Sequence, residues 1–329
     1  MNWSTYKRHN IQIVKALATM AVILIHTTTF WDYDYLVFPF IAPCVGVFIF
    51  LSGYLTKTKI EHVGTFYKRR LTKVLVPYVI CSILYCAVTR DWYDIIPRLL
   101  LGQCNMTYYY VFVFVQLIVL TPVIAKIART DWYVVLLFIT PIAMLVEEIL
   151  IRNGAWIIFP DNINNFAVWI TYFALGMRWR YLEDCGSAQA SDGNKMRVAA
   201  VVGICVTILG LILQYTESRW WMNFGRNDLG TSMVKISVFI TIVGLCNVLY
   251  YYINVRESNG IIRRILKLVG DKAFELYLLH QFTMYIIGFF PRIYGLNPFI
   301  KMIIVLVVTL AAIYIIEGLY KMVRKAVTA

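Results

Sequence analysis

Runs of about twenty apolar residues recur along almost the whole chain, and nothing else in the sequence constrains the fold as strongly. The hydrocarbon core of a bilayer takes about 20 residues of helix per crossing. About ten such runs are present, at 11–30, 36–56, 71–89, 107–127, 131–151, 164–182, 196–215, 231–252, 272–290 and 299–320. Composition agrees: 60% of the residues are hydrophobic and 15% charged, where a soluble domain is closer to half apolar and a quarter charged. The predicted fold is an all-α integral membrane protein, a single bundle of about ten transmembrane helices forming one domain over 1–329. No internal repeat or interdomain linker is visible. The stretch 183–195, with Gly, Ser, Ala, Asp and Asn, reads as a loop or hinge.

A net charge of +13 would suit a nucleic-acid partner, but the basic residues fall in short clusters between the apolar runs. "YKR", "KTKIEHVGTFYKRR", "RWRYLEDCGSAQASDGNKMR", "NVRESNGIIRRILK" and "KMVRK" lie in alternate connections, as the positive-inside rule places them. No nucleic acid is therefore expected, and both termini are assigned to the cytoplasm, which an even number of spans satisfies. The opposite loops carry Asp, Trp, Tyr and Gly. Behind the first run there is no small-x-small site, so it is expected to be retained rather than cleaved. Cys44, Cys81, Cys86, Cys205 and Cys246 lie in apolar runs, and Cys104 and Cys185 in loops on opposite sides. Their spacing implies neither a metal site nor a disulfide framework. A basic cytoplasmic face with apolar flanks is compatible with a monomer or a homodimer.

Ionisable groups inside a span are costly and commonly mark function. They are Lys15 and His26 in the first run, Glu147 and Glu148 in the fifth, Lys235 in the eighth, Glu275 and His280 in the ninth and Glu317 in the tenth. Glu147, Glu148, Lys235 and Glu317 lie near span ends and read as interfacial or structural. Lys15 and His26 differ. Eleven positions apart on a helix, they share a face and stand about 16 Å apart along the axis. A cation is thus placed at the inner mouth and an imidazole beyond the midplane. The plain alternative is a snorkelling lysine and a structural histidine. Glu275 and His280, five apart, face away from each other, whereas Tyr277 and His280 can share a face.

Two further segments extend this pattern. "GVFIFLSGYL" puts Ser52 and Gly53 where helices pack closely or bend; Ser52 reads as a packing or polar-lining residue. "YKRRLTKVLVPY" carries Lys68, Arg69, Arg70 and Lys73 at the membrane edge. Such a cluster serves lipid headgroups or a phosphorylated ligand. On the outer side Trp31, Trp92, Trp156, Trp220 and Trp221 suit either an interfacial aromatic belt or sugar stacking. Asp32 and Asp34 follow His26 and read as solvated loop acids, or as groups that hold acceptor hydroxyls beside Trp31.

In order along the chain, "NIQIVKALATMAVILIH", "GVFIFLSGYL", "YKRRLTKVLVPY", "YYYVFVFVQLIVLTPVI" with Gln116 and Pro122, and "FELYLLHQ" resemble the acyltransferase-3 family of integral membrane acyltransferases. The resemblance runs from about Asn10 to the end. Where the family has Asp and then Arg on its opening helix, this chain has Gln12 and Lys15. Lys73 stands where the last Arg of the basic motif is common. The resemblance implies an O-acetyltransferase-like enzyme of a bacterial-type plasma membrane. Its donor would be cytoplasmic acyl-CoA, most often acetyl-CoA, with no tightly bound cofactor and no metal. Its acceptor would be a hydroxyl on a lipid-linked or cell-surface polysaccharide.

On that basis His26 is the expected catalytic residue, as general base or as acyl carrier. Lys15, Arg69, Arg70 and Lys73 are expected to bind the donor phosphates. His280, Tyr277, Glu275 and Ser52 are expected to support the site, with Asp32, Asp34 and Trp31 on the acceptor side. The Lys15–His26 rise is comparable to a pantetheine arm. The competing class is a transporter or flippase of a lipid-linked sugar, in which the buried His and Glu would act as relays.

Overall fold

The computed structural model describes residues 5–28, 33–153, 162–186, 193–255 and 260–328. Trp31, Asp32, Trp156 and residues 187–192 of the expected hinge lie outside the described residues. In chain order the helices are α1 (Thr5–Thr28), α2 (Asp34–Ile41), α3 (Cys44–Tyr54), α4 (Val63–Thr89), α5 (Ile95–Leu100), α6 (Tyr109–Ile127), α7 (Tyr133–Arg152) and α8 (Ile170–Asp184). They continue with α9 (Gly193–Asn223), α10 (Asn227–Gly230), α11 (Ile236–Asn254), α12 (Ile261–Asp271), α13 (Ala273–Gly288), α14 (Pro291–Tyr294) and α15 (Pro298–Thr328). No strand occurs among the described residues.

Among the described residues eight helices are long and apolar enough to cross a membrane, α2 and α3 counting as one over Asp34–Tyr54. The other two expected runs fold into shorter helices, α8 with 15 residues and α13 with 16. Ahead of α8 the run begins instead with two 3-10 turns, Asn162–Asn164 and Phe166–Val168. Irregular backbone at such a place needs partners, and side chains supply them. Gln116 Nε2 donates to the Asn164 carbonyl at 2.9 Å, and its Oε1 accepts from Phe166 N–H at 3.2 Å. Asn165 caps Ala167 N–H.

The chain divides into two compact units. The first, Met1–Asp34 with Arg256–Ala329, packs α1 against α12, α13 and α15, and α13 against α15. Gly270, near the end of α12, lies so close to α1 that a Cβ there would run into the Gln12 carbonyl. The segment around α12, read from sequence as a connecting stretch, is an amphipathic helix. Ile261, Ile262, Ile265 and Leu268 are exposed while Val269 and Gly270 are buried, a pattern that suits a helix lying in a membrane interface. Arg263 donates to the Asn10 side chain on α1.

The second unit, Tyr35–Val255, is built on α9 against α11 and α3 against α8. Gly53 and Gly176 bring α3 and α8 into backbone contact. A Cβ on Gly53 would strike the Phe173 carbonyl, and one on Gly176 the Phe50 carbonyl. Small residues permit such approach between apolar helices, where dispersion rather than the hydrophobic effect drives association. Lys235, at 3% exposure, does not snorkel; it donates to Ser218 Oγ at 3.0 Å and the Gly230 carbonyl at 2.8 Å.

Candidate active site

Two imidazoles meet in the first unit. His26, near the end of α1, and His280, in the middle of α13, have ring centroids 5.4 Å apart with planes tilted by 34°. Their settings differ. His280 is wholly buried, at 0% exposure. Its Nδ1 lies 2.8 Å from the Tyr277 carbonyl and 3.1 Å from that of Leu276. Carbonyl oxygens only accept, so Nδ1 carries the proton and Nε2 keeps its lone pair. The Gln281 amide nitrogen stands 3.3 Å from that Nε2. Both nitrogens of His280 are thereby engaged. His26 is half-buried, and among the described residues its ring makes no hydrogen bond; its one ring contact is His280. The two rings thus differ: one is fully buried with both nitrogens engaged, the other half-buried and, among the described residues, without a hydrogen bond.

Tyr277 serves His280 through its backbone carbonyl, with the two rings 6.4 Å apart. Glu275 lies five positions before His280 on α13 and so on a different face of that helix. Glu275 and Asp271 are the carboxylates that act electrostatically on half-buried Lys15. Lys272 is 4.0 Å from Glu275 and also pairs with Glu317. Both of the carboxylates that act on Lys15 come from the distant α12–α13 segment rather than from α1 itself. Gln12 has moved to a packing role, its backbone against Gly270 and its Oε1 buried without a hydrogen-bond partner. Asp271 had no motif to announce it, although it precedes Glu275 by one helical turn. Gln281 closes the quoted "FELYLLHQ" stretch and was legible there.

Because α1 is continuous from Thr5 to Thr28, the rise of about 16 Å between Lys15 and His26 applies to it. Past His26, Asp34 opens α2 with its carboxylate beside Thr28. Asp34 is a half-buried acid rather than a solvated one, and among the described residues its buried Oδ1 has no hydrogen-bond partner.

The second unit holds the basic cluster. It lies on a helix rather than in a loop, because α4 begins at Val63. Arg69 and Lys73 are four apart and share a face; both are exposed. Arg70 is half-buried and donates to Thr56 Oγ1 at 2.9 Å. Ser52 spends its hydroxyl proton on the Phe48 carbonyl, 2.8 Å away within α3. A serine bonded back to its own helix is positioned for lining, not for attack.

An all-helical chain with, among the described residues, eight potential membrane spans defines the class of multi-pass membrane proteins, and the imidazole pair lies within it. A family model described as "Acyltransferase domain" matches residues 8–318, and the chain belongs to the acyltransferase-3 family. Neither the curated proteins nor the solved structures contain a match.

Proposed function

We propose that the chain is a membrane O-acyltransferase acting as one domain over 1–329. It would take an acyl group, foremost acetyl, from cytoplasmic acyl-CoA and place it on a hydroxyl of an extracytoplasmic or lipid-linked surface glycan. The observation that carries this reading is the His26–His280 pair, with only His26 left uncommitted and accessible. Its bundle would cross a bacterial-type plasma membrane ten times, the shorter α8 and α13 included, with both termini in the cytoplasm.

The donor's phosphates would meet Lys15, Arg69, Arg70 and Lys73, and its thioester would reach His26. As general base, His26 takes the proton of the glycan hydroxyl as the oxygen attacks the thioester carbonyl. The C–S bond breaks and the proton passes to the departing thiolate of coenzyme A. As acyl carrier, His26 attacks the thioester carbonyl first, the C–S bond breaks and the imidazole's proton passes to the departing thiolate; in a second step the glycan hydroxyl takes the acyl group and its proton returns to the released imidazole. His280 holds the His26 ring in either case. The unpartnered Asp34 oxygen would accept from an acceptor hydroxyl, since a buried acceptor without a donor is costly.

The test compares cells expressing the wild-type chain with cells expressing His26→Ala, by mass analysis of the surface glycan for a base-labile acyl increment. The increment is expected with wild type and absent with His26→Ala, at equal protein in the membrane. Acylation that survives in the variant removes His26 from the chemistry. Transport of a lipid-linked sugar that needs no acyl-CoA would instead establish the flippase reading.

A further inference from the structure

One end of the second unit gathers more than cations. There Arg70 donates to Thr56, which follows α3. Tyr54, two residues earlier, donates to Glu183 Oε1 at 2.8 Å, and Asn254 donates to the same oxygen at 3.2 Å. Tyr54 meets the Tyr250 ring edge-on at 6.1 Å, and Tyr250 stacks on Trp179 with centroids 4.3 Å apart and planes within 19°. The start of α4 and the ends of α3, α8 and α11 are therefore joined at one end of this unit, the end that bears Arg69, Arg70 and Lys73. Beside the stacked pair opens a cavity of about 390 Å³, lined by Trp179, Tyr250, Asn194, Lys195, Met196 and Val198 among others. The steps at His26 described above use neither the cavity nor its aromatic pair.

We infer that this cavity binds the nucleotide end of the acyl-CoA donor, its purine on the Trp179–Tyr250 shelf and its phosphates toward Lys195 and the α4 cations. The volume lies in the range of small-molecule sites, which are mostly apolar with a few placed polar groups. A half-buried Trp backed by a buried Tyr is a flat, rigid surface of the kind on which nucleobases stack. Lysine and arginine at the same end supply the charge that phosphates require. An apolar lipid chain would use the walls but has no need of Lys195 or of a stacked ring pair. The inference rests on the acyl-CoA reading for the identity of the nucleotide, and on the cavity alone for its place.

Two measurements on detergent-purified full-length protein separate these supports. In the first, calorimetry follows binding of adenosine bisphosphate, phosphorylated as in coenzyme A, to wild type, Trp179→Leu and Lys195→Gln. Wild type is expected to bind, and each variant to bind about tenfold more weakly, the loss typical of one base–aromatic stack or one phosphate contact. In the second, transfer is measured with acetyl-CoA and with S-acetyl-pantetheine, which lacks the nucleotide. Each variant should raise KM for acetyl-CoA about tenfold and leave S-acetyl-pantetheine kinetics unchanged. Lys195 is exposed, so Lys195→Gln carries the test if Trp179→Leu does not fold. Equal losses with both donors, unchanged nucleotide binding in the variants, or no binding by wild type would overturn the site. Nucleotide binding weakened in the variants, with no transfer by wild type from either donor, would uphold the site and overturn the acyl-transfer reading.

Discussion

Two side chains in the first unit illustrate how little a residue's type says about its task. His26 and His280 are the same chemical group, yet the main chain of α13 and Gln281 occupy both nitrogens of one and none of the other. Replacing Gln281 by Leu removes the amide beside a buried imidazole nitrogen. The loss of that partner should cost about 1–3 kcal/mol of stability, read as a lower melting temperature. It should also lower kcat with KM for acyl-CoA unchanged, because His26 loses its fixed neighbour. Lys15 is the complementary case. Its ammonium is half-buried and lies in the field of Asp271 and Glu275, with Gln12 rather than an acid at position 12. Lys15→Met is expected to raise KM for acyl-CoA on the order of tenfold or more, the worth of a charge-assisted contact. Lys15→Arg, which restores the charge, should stay within a few-fold of wild type. A Lys15→Met variant with unaltered KM would remove this residue from the donor site. Position 15 was legible from its spacing to His26; its carboxylate partners lie about 256 residues away in sequence and were not.

Among the elements, α3 and α8 carry the closest approach in the second unit. Their glycines are reciprocal, Gly53 against the Phe173 carbonyl and Gly176 against that of Phe50. Gly53→Ala or Gly176→Ala must push the backbones apart, at a cost of about 1–3 kcal/mol for overpacking. Either substitution should lower the melting temperature in detergent, and the double variant should not be additive, since both strain one contact. Independent, additive losses would show that the two glycines do not share an interface. The Ser-Gly pair in "GVFIFLSGYL" pointed to close packing but could not name the partner helix. The run that ends in α8 departed from the twenty-residue expectation for a physical reason. Gln116 satisfies the backbone ahead of α8, so that stretch is not obliged to be helical. In the linker before α13, an amphipathic period produced α12 where basic residues alone had suggested a connection.

For the molecule as a whole, the topology of the membrane is open to a direct chemical reading. Cys185 is a free, exposed thiol just past α8, in the connection assigned to the cytoplasm. A membrane-impermeant maleimide should label it in inverted vesicles or permeabilised cells and not in intact cells. Cys205, although exposed, lies within α9 and should resist the reagent from both sides because lipid covers it. Labelling of Cys185 in intact cells would invert the orientation. The membrane class and the family were legible in the sequence alone, because the length and apolarity of a crossing are local properties that each run carries by itself. So was the spacing of Lys15 and His26, a consequence of one continuous helix. Only the tertiary structure decided that His26 lies against His280, that Lys15 lies in the field of Asp271 and Glu275, and that Trp179 and Tyr250 form a shelf beside a cavity. Those contacts join helices far apart in the chain, and their geometry is set by packing, which no single run encodes.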